Sequence, residues 1–542
     1  MNRTFKVVFS KVRGTMVVAS EAAATPHKKA AKTVIAAAAA LAMGTVMAQG
    51  WAEPDGIDQT SERYTSVEDL TQNQYNYVQS GGQTGFVSIS TEGDHVIEGK
   101  EIWVTATGSG TQSHALNAKG TGVKLTNTGK IYIQAGEDAK SWSQKGMMAG
   151  GGATVVNDGD IVAKNAYGMT VETGVASHIE NGVNGTITVL DQGAGIELGG
   201  ASGSTAVNNG TINVGEITEV RDNLIFGHGV LINTSDNTFE NNGTISAEGE
   251  NASAIEVKGD ADRATVILGS TSKVLGKIHF SNTVEDSKLI ADGAVDTIDL
   301  DSEAEDLELD IRNGANITLK NGNASTYGQV NIDDGRLNAS IWQDDNEFKN
   351  VTVNEDGIFN IQDLNAGGTK DQEHNQEGVT PHDTLLLAFD SVYNLNGGEL
   401  WVGGSNYQKK LKVGTAATSG TLNIASGSYT YSTLEVAKKG TVNVQGGELN
   451  VTNLAFSAGK QGNEGKVTVG NKGSLNINGK LTAGGAKDAL QVDGILKTDH
   501  SNFFKRTEDG QDWTTEDSNI DLVGGTGVLD LTGLRKATLS MS

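Results

Sequence analysis

The sequence predicts an all-β chain: a right-handed parallel β-helix, or solenoid, with coils of about 20–33 residues, preceded by a cleavable signal peptide. Three observations carry that expectation. A glycine-centred motif recurs at coil-length intervals, a second motif recurs between its copies, and 71 glycines stand against 3 prolines in 542 residues. Such a composition suits many short strands joined by turns of Gly and Asn.

In the first motif, Asn or Asp sits one or two residues before Gly-x-Ile. Its copies are Thr126-Asn127-Thr128-Gly129-Lys130-Ile131, Val156-Asn157-Asp158-Gly159-Asp160-Ile161, Val183-Asn184-Gly185-Thr186-Ile187, Asn208-Asn209-Gly210-Thr211-Ile212 and Asn241-Asn242-Gly243-Thr244-Ile245. Val274-Leu275-Gly276-Lys277-Ile278 is a weaker sixth copy. The glycines fall 30, 26, 25, 33 and 33 residues apart. The second motif is a small residue followed by apolar-x-apolar: Gly168-Met169-Thr170-Val171, Gly195-Ile196-Glu197-Leu198, Gly229-Val230-Leu231-Ile232 and Ala254-Ile255-Glu256-Val257. Each repeat therefore holds at least two short strands with period-2 alternation. One unit cannot bury its apolar face alone, but stacked units can, Ile over Ile. Gly129, Gly159, Gly185, Gly210 and Gly243 are the expected turn positions, because Gly and Asn tolerate positive φ. Stacked Asn side chains are placed to form ladders. Intervals of 25–33 residues fit a β-helix coil better than a propeller blade of about 40–50.

After residue 310 the spacing tightens. Gly335-Arg336-Leu337, Gly357-Ile358-Phe359, Gly398-Glu399-Leu400, Gly420-Thr421-Leu422, Gly440-Thr441-Val442, Gly447-Glu448-Leu449, Gly465-Lys466-Val467 and Gly473-Ser474-Leu475 all begin Gly-x-apolar. The expected organisation is a leader in two parts (1–24 and 25–48), a cap at 49–95, a β-helix with the Asn-x-Gly-x-Ile repeat at 96–300, and its continuation with shorter repeats at 301–542. At about 25 residues per coil and about 4.8 Å between coils, some 420 residues would make a rod of about 80 Å.

Lys28, Lys29 and Lys32 precede an uncharged, Ala-rich run from Thr33 to Met47, and Val46-Met47-Ala48 supplies small residues before Gln49. A basic region, an apolar core and a small-residue site make a secretory signal cleaved between Ala48 and Gln49. The run is shorter than the roughly 20 apolar residues a spanning helix needs. Removing 1–48 takes the formal net charge from −26 to −32, with 34 Lys+Arg against 66 Asp+Glu. A surface so acidic repels phosphate backbones, which argues against nucleic-acid partners. There is no cysteine, which suits a chain kept unfolded until it has crossed a second membrane.

Ahead of that signal stand Asn2-Arg3, Phe5-Lys6-Val7-Val8, Ser10-Lys11, Arg13-Gly14 and Val17-Val18-Ala19-Ser20-Glu21. This run resembles the extended signal-peptide region of large exported proteins of Gram-negative bacteria, chiefly autotransporters of Type V secretion. It departs from that pattern at Phe9 and Met16, where another aromatic is usual. With the repeats, the chain resembles an adhesin-type autotransporter passenger. The resemblance implies passage through the Sec translocon, the periplasm and an outer-membrane barrel, and a final place on the cell surface or outside the cell. It also implies a C-terminal translocator barrel of alternating strands, which the residues up to Ser542 do not contain. A fragment, a secreted protein and a protein anchored by another chain are the three alternatives. The Asn-Pro-Asn motifs of two-partner exoproteins and the coiled-coil stalk of trimeric adhesins are not found.

No catalytic, cofactor-binding or metal-binding residues are assigned. Gly-x-Ser-x-Gly, Gly-Asp-Ser-Gly, His-Glu-x-x-His and a Walker loop are all missing, and the nine histidines are scattered. Asp299 to Asp310 reads as a solvated strand face rather than a calcium site, since no EF-hand or nonapeptide pattern is present. Gly367 to Pro381, with His374 inside and His382 just after, reads as an exposed excursion. Two function classes remain. The first is a rod for adhesion or aggregation, whose partners are host-cell, matrix or neighbouring-cell surface molecules. The second is a glycan-active β-helix enzyme, a polysaccharide lyase or hydrolase using paired carboxylates. Trp142, Trp342 and Trp401 are scattered aromatics of the kind that stack on sugar.

Overall fold

The structure, a computed structural model, describes residues 5–10, 15–20 and 57–530, less 81, 109–110, 137–142, 216–226, 248, 250, 294, 321–324, 341–345, 364–383, 388–389, 403–409, 457–464, 480, 483–489, 499–504, 507–512, 515–519 and 523–527. It divides into two units, 1–56 and Ile57–Ser542. In the first, Phe5–Ser10 pairs antiparallel with Thr15–Ser20, Val7 opposite Val18. The cleavage residues Ala48 and Gln49 lie outside the described residues.

The second unit is a parallel β-helix with three strands per coil. The first ladder runs through Gln74–Ser80, Glu101–Thr107, Lys130–Ala135, Asp160–Val171, Thr186–Leu198, Thr211–Val214 and Thr244–Ala247. In it Ile102, Ile131, Ile161, Ile187, Ile212 and Ile245 stand in register, all fully buried. The second ladder stacks Val87, Leu116, Met147, Met169, Ile196, Val230 and Ile255. The third stacks Leu125, Val155, Ile179, Ala206, Phe239, Val266 and Leu289. All of these point inward into one core that continues to Leu496. Each large member contributes about 1.5–3 kcal/mol by leaving water, and no single coil could bury it. The two motifs of the sequence are thus the first and second ladders.

Beyond residue 295 the same three-sided arrangement continues with different turn chemistry. Asp296, Ile317, Leu337, Phe359 and Leu400 succeed one another in register, as do Leu309, Val330, Val351, Tyr393, Leu422, Val442 and Val467. The final pairings reach Val528–Asp530.

The first full coil comprises Gln74–Ser80, Gln83–Ile89 and Gly93–Ile97, so the β-helix already begins within the 49–95 segment expected to be a cap, in which the turn motif is silent. Its interior is aromatic instead. Tyr64, Tyr75, Tyr77 and Phe86 meet at centroid distances of 5.2–5.8 Å and fill the end of the core. Tyr64 N–H donates to Phe86 O and Tyr64 O accepts from Ser88 N–H, which ties the preceding chain across the opening.

Asparagines close the corner between the third and first ladders. Nδ2 of Asn127 donates to Oδ1 of Asn157, and the same bond runs on to Asn181, Asn208 and Asn241 at 2.9, 2.9, 2.8 and 2.7 Å. The chain of bonds ends on Ser272 Oγ at 2.6 Å. These rungs are 30, 24, 27 and 33 residues apart and every Asn is fully buried. Buried amides in a line satisfy one another, and the line polarises each bond. The third rung is Asn181, not the Asn184 that precedes Gly185 in the motif; Asn184 is exposed.

The reason for glycine at this corner is corrected. None of Gly129, Gly159, Gly185, Gly210 and Gly243 has positive φ. A Cβ on any of them would instead collide with the coil before. It would lie 2.0 Å from Lys100 O at Gly129, 2.1 Å from Gly129 O at Gly159, 2.2 Å from Asn157 O at Gly185, 2.2 Å from Gly185 O at Gly210 and 2.0 Å from Gly210 O at Gly243. These turns stack backbone on backbone, and the missing side chain is what lets them touch.

Candidate functional site

The sequence-predicted positions divide cleanly. The five turn glycines share one corner of the stack. Trp142, Trp342, His374 and His382 lie outside the described residues. Trp401 is half-buried on the first ladder's outer face, with the Arg336 guanidinium carbon 4.3 Å from its ring centroid and its Nε1–H donating to Glu399.

The Asp299–Asp310 run is a set of rungs between coils. Leu300, Leu307 and Leu309 point into the core. Asp299 accepts from Lys320 at 2.6 Å, Asp301 from Lys277 at 2.9 Å, Glu308 from Lys288 at 2.5 Å and Asp310 from Asn331 at 2.7 Å. Exposed pairs of this kind are individually worth less than about 1 kcal/mol. Among the described residues, no group of three or more His, Asp or Glu is placed to hold a metal ion.

The densest set of titratable groups lies on the outer face of the second ladder and at the corner leading into it. In register one above another are Thr170, Glu197, Leu231, Glu256, His279 and Asp301. Glu197 is buried; Thr170 Oγ1 donates to it at 2.7 Å and Lys145 Nζ lies 4.0 Å away. Burial pushes its carboxyl above the ordinary range, against the pull of Lys145 and Thr170. Two coils along, Glu256 accepts from His279 Nδ1 at 3.1 Å, and its carboxyl is held low by that bond and by neighbouring cations, against its own burial. His279 is correspondingly raised, chiefly by the bond to Glu256. Reading the sequence did not find this row, because its members belong to different coils and share no local motif.

Two buried imidazoles nearby are held neutral. Lys258 Nζ donates to His228 Nε2 at 3.2 Å, so Nδ1 carries the proton toward Ser253 Oγ, 2.6 Å away. Burial, then Lys258, lowers His228 to about 4, and burial, then Lys145, lowers His114 to about 3. Both folded values lie below the unfolded value near 6.5. The unfolded chain therefore takes up protons first, and stability falls as pH drops from about 6.5 toward 4, by about 1.4 kcal/mol per pH unit per group. His279 acts in the opposite sense: its contribution is complete below about 6.5 and fades as pH rises through its raised folded value. The expected result is a urea midpoint that falls between pH 6.5 and 4.5, and falls less in His228→Gln. An equal fall in both proteins counts against the assignment.

Residues 1–49 match the family described as the Extended Signal Peptide of Type V secretion system. No curated protein and no solved structure matches the chain. The match covers the leader with its paired strands Phe5–Ser10 and Thr15–Ser20. It makes residues 1–49 an export address, which sends the chain across the envelope to the cell surface or the extracellular space. The β-helix behind that address is a passenger of Type V secretion.

Proposed function

We propose that this Type V passenger is a surface rod that mediates adhesion to host-cell, matrix or neighbouring-cell surfaces, or aggregation between cells that carry it. One observation carries the reading: an export address precedes a single stack of three ladders, several of whose outer cations are engaged with a neighbouring coil. Lys277, Lys288, Arg312 and Lys320 all hold a carboxylate one coil away. Such a surface is a rigid display scaffold, and its ligand contacts would come from side chains and loops along the faces. Function on this fold is argued from analogy of architecture.

The test is to express the full chain at the surface of cells that otherwise neither settle nor attach. Faster sedimentation and attachment to epithelial monolayers or matrix than in cells with empty vector are expected. Identical behaviour of the two strains would sink the reading.

A second reading, a glycan-active enzyme, is favoured by one arrangement. Glu197 and Glu256 share an outer row two coils apart, about 9.6 Å along the stack, and their surroundings push their carboxyls in opposite directions. Inverting glycosidases use acid and base carboxyls about 6.5–9.5 Å apart, so this backbone spacing lies just beyond that range and the two side chains would have to lean toward each other. If the same cells release reducing sugar from polysaccharide, and Glu197→Gln abolishes the release, the enzyme reading displaces the first.

A further inference from the structure

Coil length changes at one level of the stack. First-ladder strands begin at Lys130, Asp160, Thr186, Thr211, Thr244 and Lys273, 25 to 33 residues apart, and then at Val295, Asn316, Arg336 and Ile358, only 20 to 22 apart. The corner from the first ladder into the second shrinks at the same level. It takes four residues, 248–251, in one coil and Gly276 alone (φ 126°) in the next. In the coil after that it takes none, because Val295–Ser302 runs through both ladders as one strand. The buried amide ladder stops here too, on Ser272.

Backbone pairing registers the change. Lys273–Leu275 pairs on one side with Thr244–Ala247, Val274 opposite Ile245. On its other side no strand pairs with it among the described residues, and the first ladder resumes only where Val295–Ser302 meets Asn316–Leu319. A coil with a longer corner cannot hold two successive strands in register with a coil that has none. Here the second ladder keeps its register, Lys277 opposite Asp299, and the first gives way. Val274 and Leu275 are accordingly half-buried, although Ile245 and Ile317 on either side are fully buried. The other two sides are clamped. The second and third ladders pair across this level, and three ion pairs cross it with them: Lys277–Asp301 at 2.9 Å, Lys288–Glu308 at 2.5 Å and Arg312–Asp292 at 3.0 Å.

We infer that this level is a salt-sensitive joint. The β-helix is two blocks, one ending with the coil that starts at Lys273 and the other beginning at Val295. They part on the first-ladder side and hinge on the second and third ladders. Opening there breaks no strand pairing of the first ladder, whereas parting the same ladder one coil earlier breaks the pairing of Thr244–Ala247 with Lys273–Leu275. The three ion pairs hold the joint closed. Each is partly exposed and worth little alone, but all three lie across one level and are screened together, so ionic strength sets how often it opens. Under load the joint yields before either block does, because local opening starts where the fewest backbone bonds must break. The inference holds whether the rod adheres or acts on glycans.

Hydrogen exchange of the full chain tests it. Amides over Lys273–Leu275 are expected to exchange about tenfold or more faster than those over Thr244–Ala247 and Asn316–Leu319. Raising salt from about 0.05 M to about 0.5 M should speed exchange over Lys273–Leu275 about threefold and leave the two flanking strands unchanged. The double variant Lys288→Gln/Arg312→Gln should show the fast rate already at low salt and respond little to more. Lys277→Gln alone, a milder change, should move in the same direction and serves if the double variant does not fold. Equal exchange over the three strands overturns the joint. A salt response of the same size in all three does so too, since it would report loosening of the whole stack. Fast exchange over Lys273–Leu275 that neither salt nor the substitutions alter also overturns it, because an edge frayed at all times is not a clamped joint.

Discussion

Asn181→Ala is expected to destabilise the β-helix by about 2–4 kcal/mol, while Asn184→Ala, three residues away, costs no more than about 0.5. Asn181 is fully buried in the middle of the amide ladder, accepting from Asn157 and donating to Asn208. Truncation leaves Asn208 Oδ1 without its donor and breaks the line in two. Each orphaned buried group costs about 1–3 kcal/mol, and a polarised chain loses more than one bond's share. Asn157 is partly spared, because its Nδ2 also reaches Gly159 O at 3.0 Å. Asn184 is exposed and has no part in the ladder. Urea unfolding of the two variants, with hydrogen exchange at Ile161 and Ile187, reads the difference directly. Equal midpoints would mean that the ladder carries no stability.

The second large effect is steric. Gly210→Ala is expected to cost about 3 kcal/mol or more, whereas Gly203→Ala, at a left-handed turn, costs about 1–2. At Gly210 the added carbon would sit 2.2 Å from Gly185 O and 2.4 Å from Gly182 O, both main-chain atoms locked into the coil below. Relief requires the coils to separate, which disturbs the pairing of Thr211 with Thr186 and Ile212 with Ile187. At Gly203 (φ 75°) the nearest atom would be Ala176 Cβ at 3.9 Å, so only the backbone preference is lost. Thermal melts of the two variants separate close approach from φ preference. If Gly203→Ala is the more damaging, the turn glycines owe their identity to dihedral angle after all.

These two experiments mark where the sequence was transparent and where it was not. The Gly-x-Ile and small-apolar-x-apolar registers are local, and each became one ladder. The third ladder has no glycine to announce it. Its strands read Val155-Val156-Asn157, Ile179-Glu180-Asn181, Ala206-Val207-Asn208 and Phe239-Glu240-Asn241, an apolar residue two places before the ladder asparagine. Aligning on that pattern would have selected Asn181 over Asn184. The close approach at Gly129 or Gly243 was not legible, because it depends on the carbonyl of another coil some 30 residues away. The paired groups of the second ladder were hidden for the same reason: Lys145, Glu197, Glu256 and His279 become neighbours only when coils of unequal length are stacked. Trp401 was noticed as an aromatic, but its partner Arg336 comes from an earlier coil.

The rungs of the corner ladder keep contact although 24 to 33 residues separate them. Register passes from coil to coil through the strands, while the connecting segments absorb the differences in length. The height of the structure is therefore counted in whole coils, and a tandem duplication of one coil's coding segment would add about 4.8 Å without disturbing its neighbours. The length of the stack then becomes a trait that changes in discrete steps, by recombination between similar repeats rather than by point substitution. Segments exchanged between coils would bring new surface chemistry onto an unchanged frame.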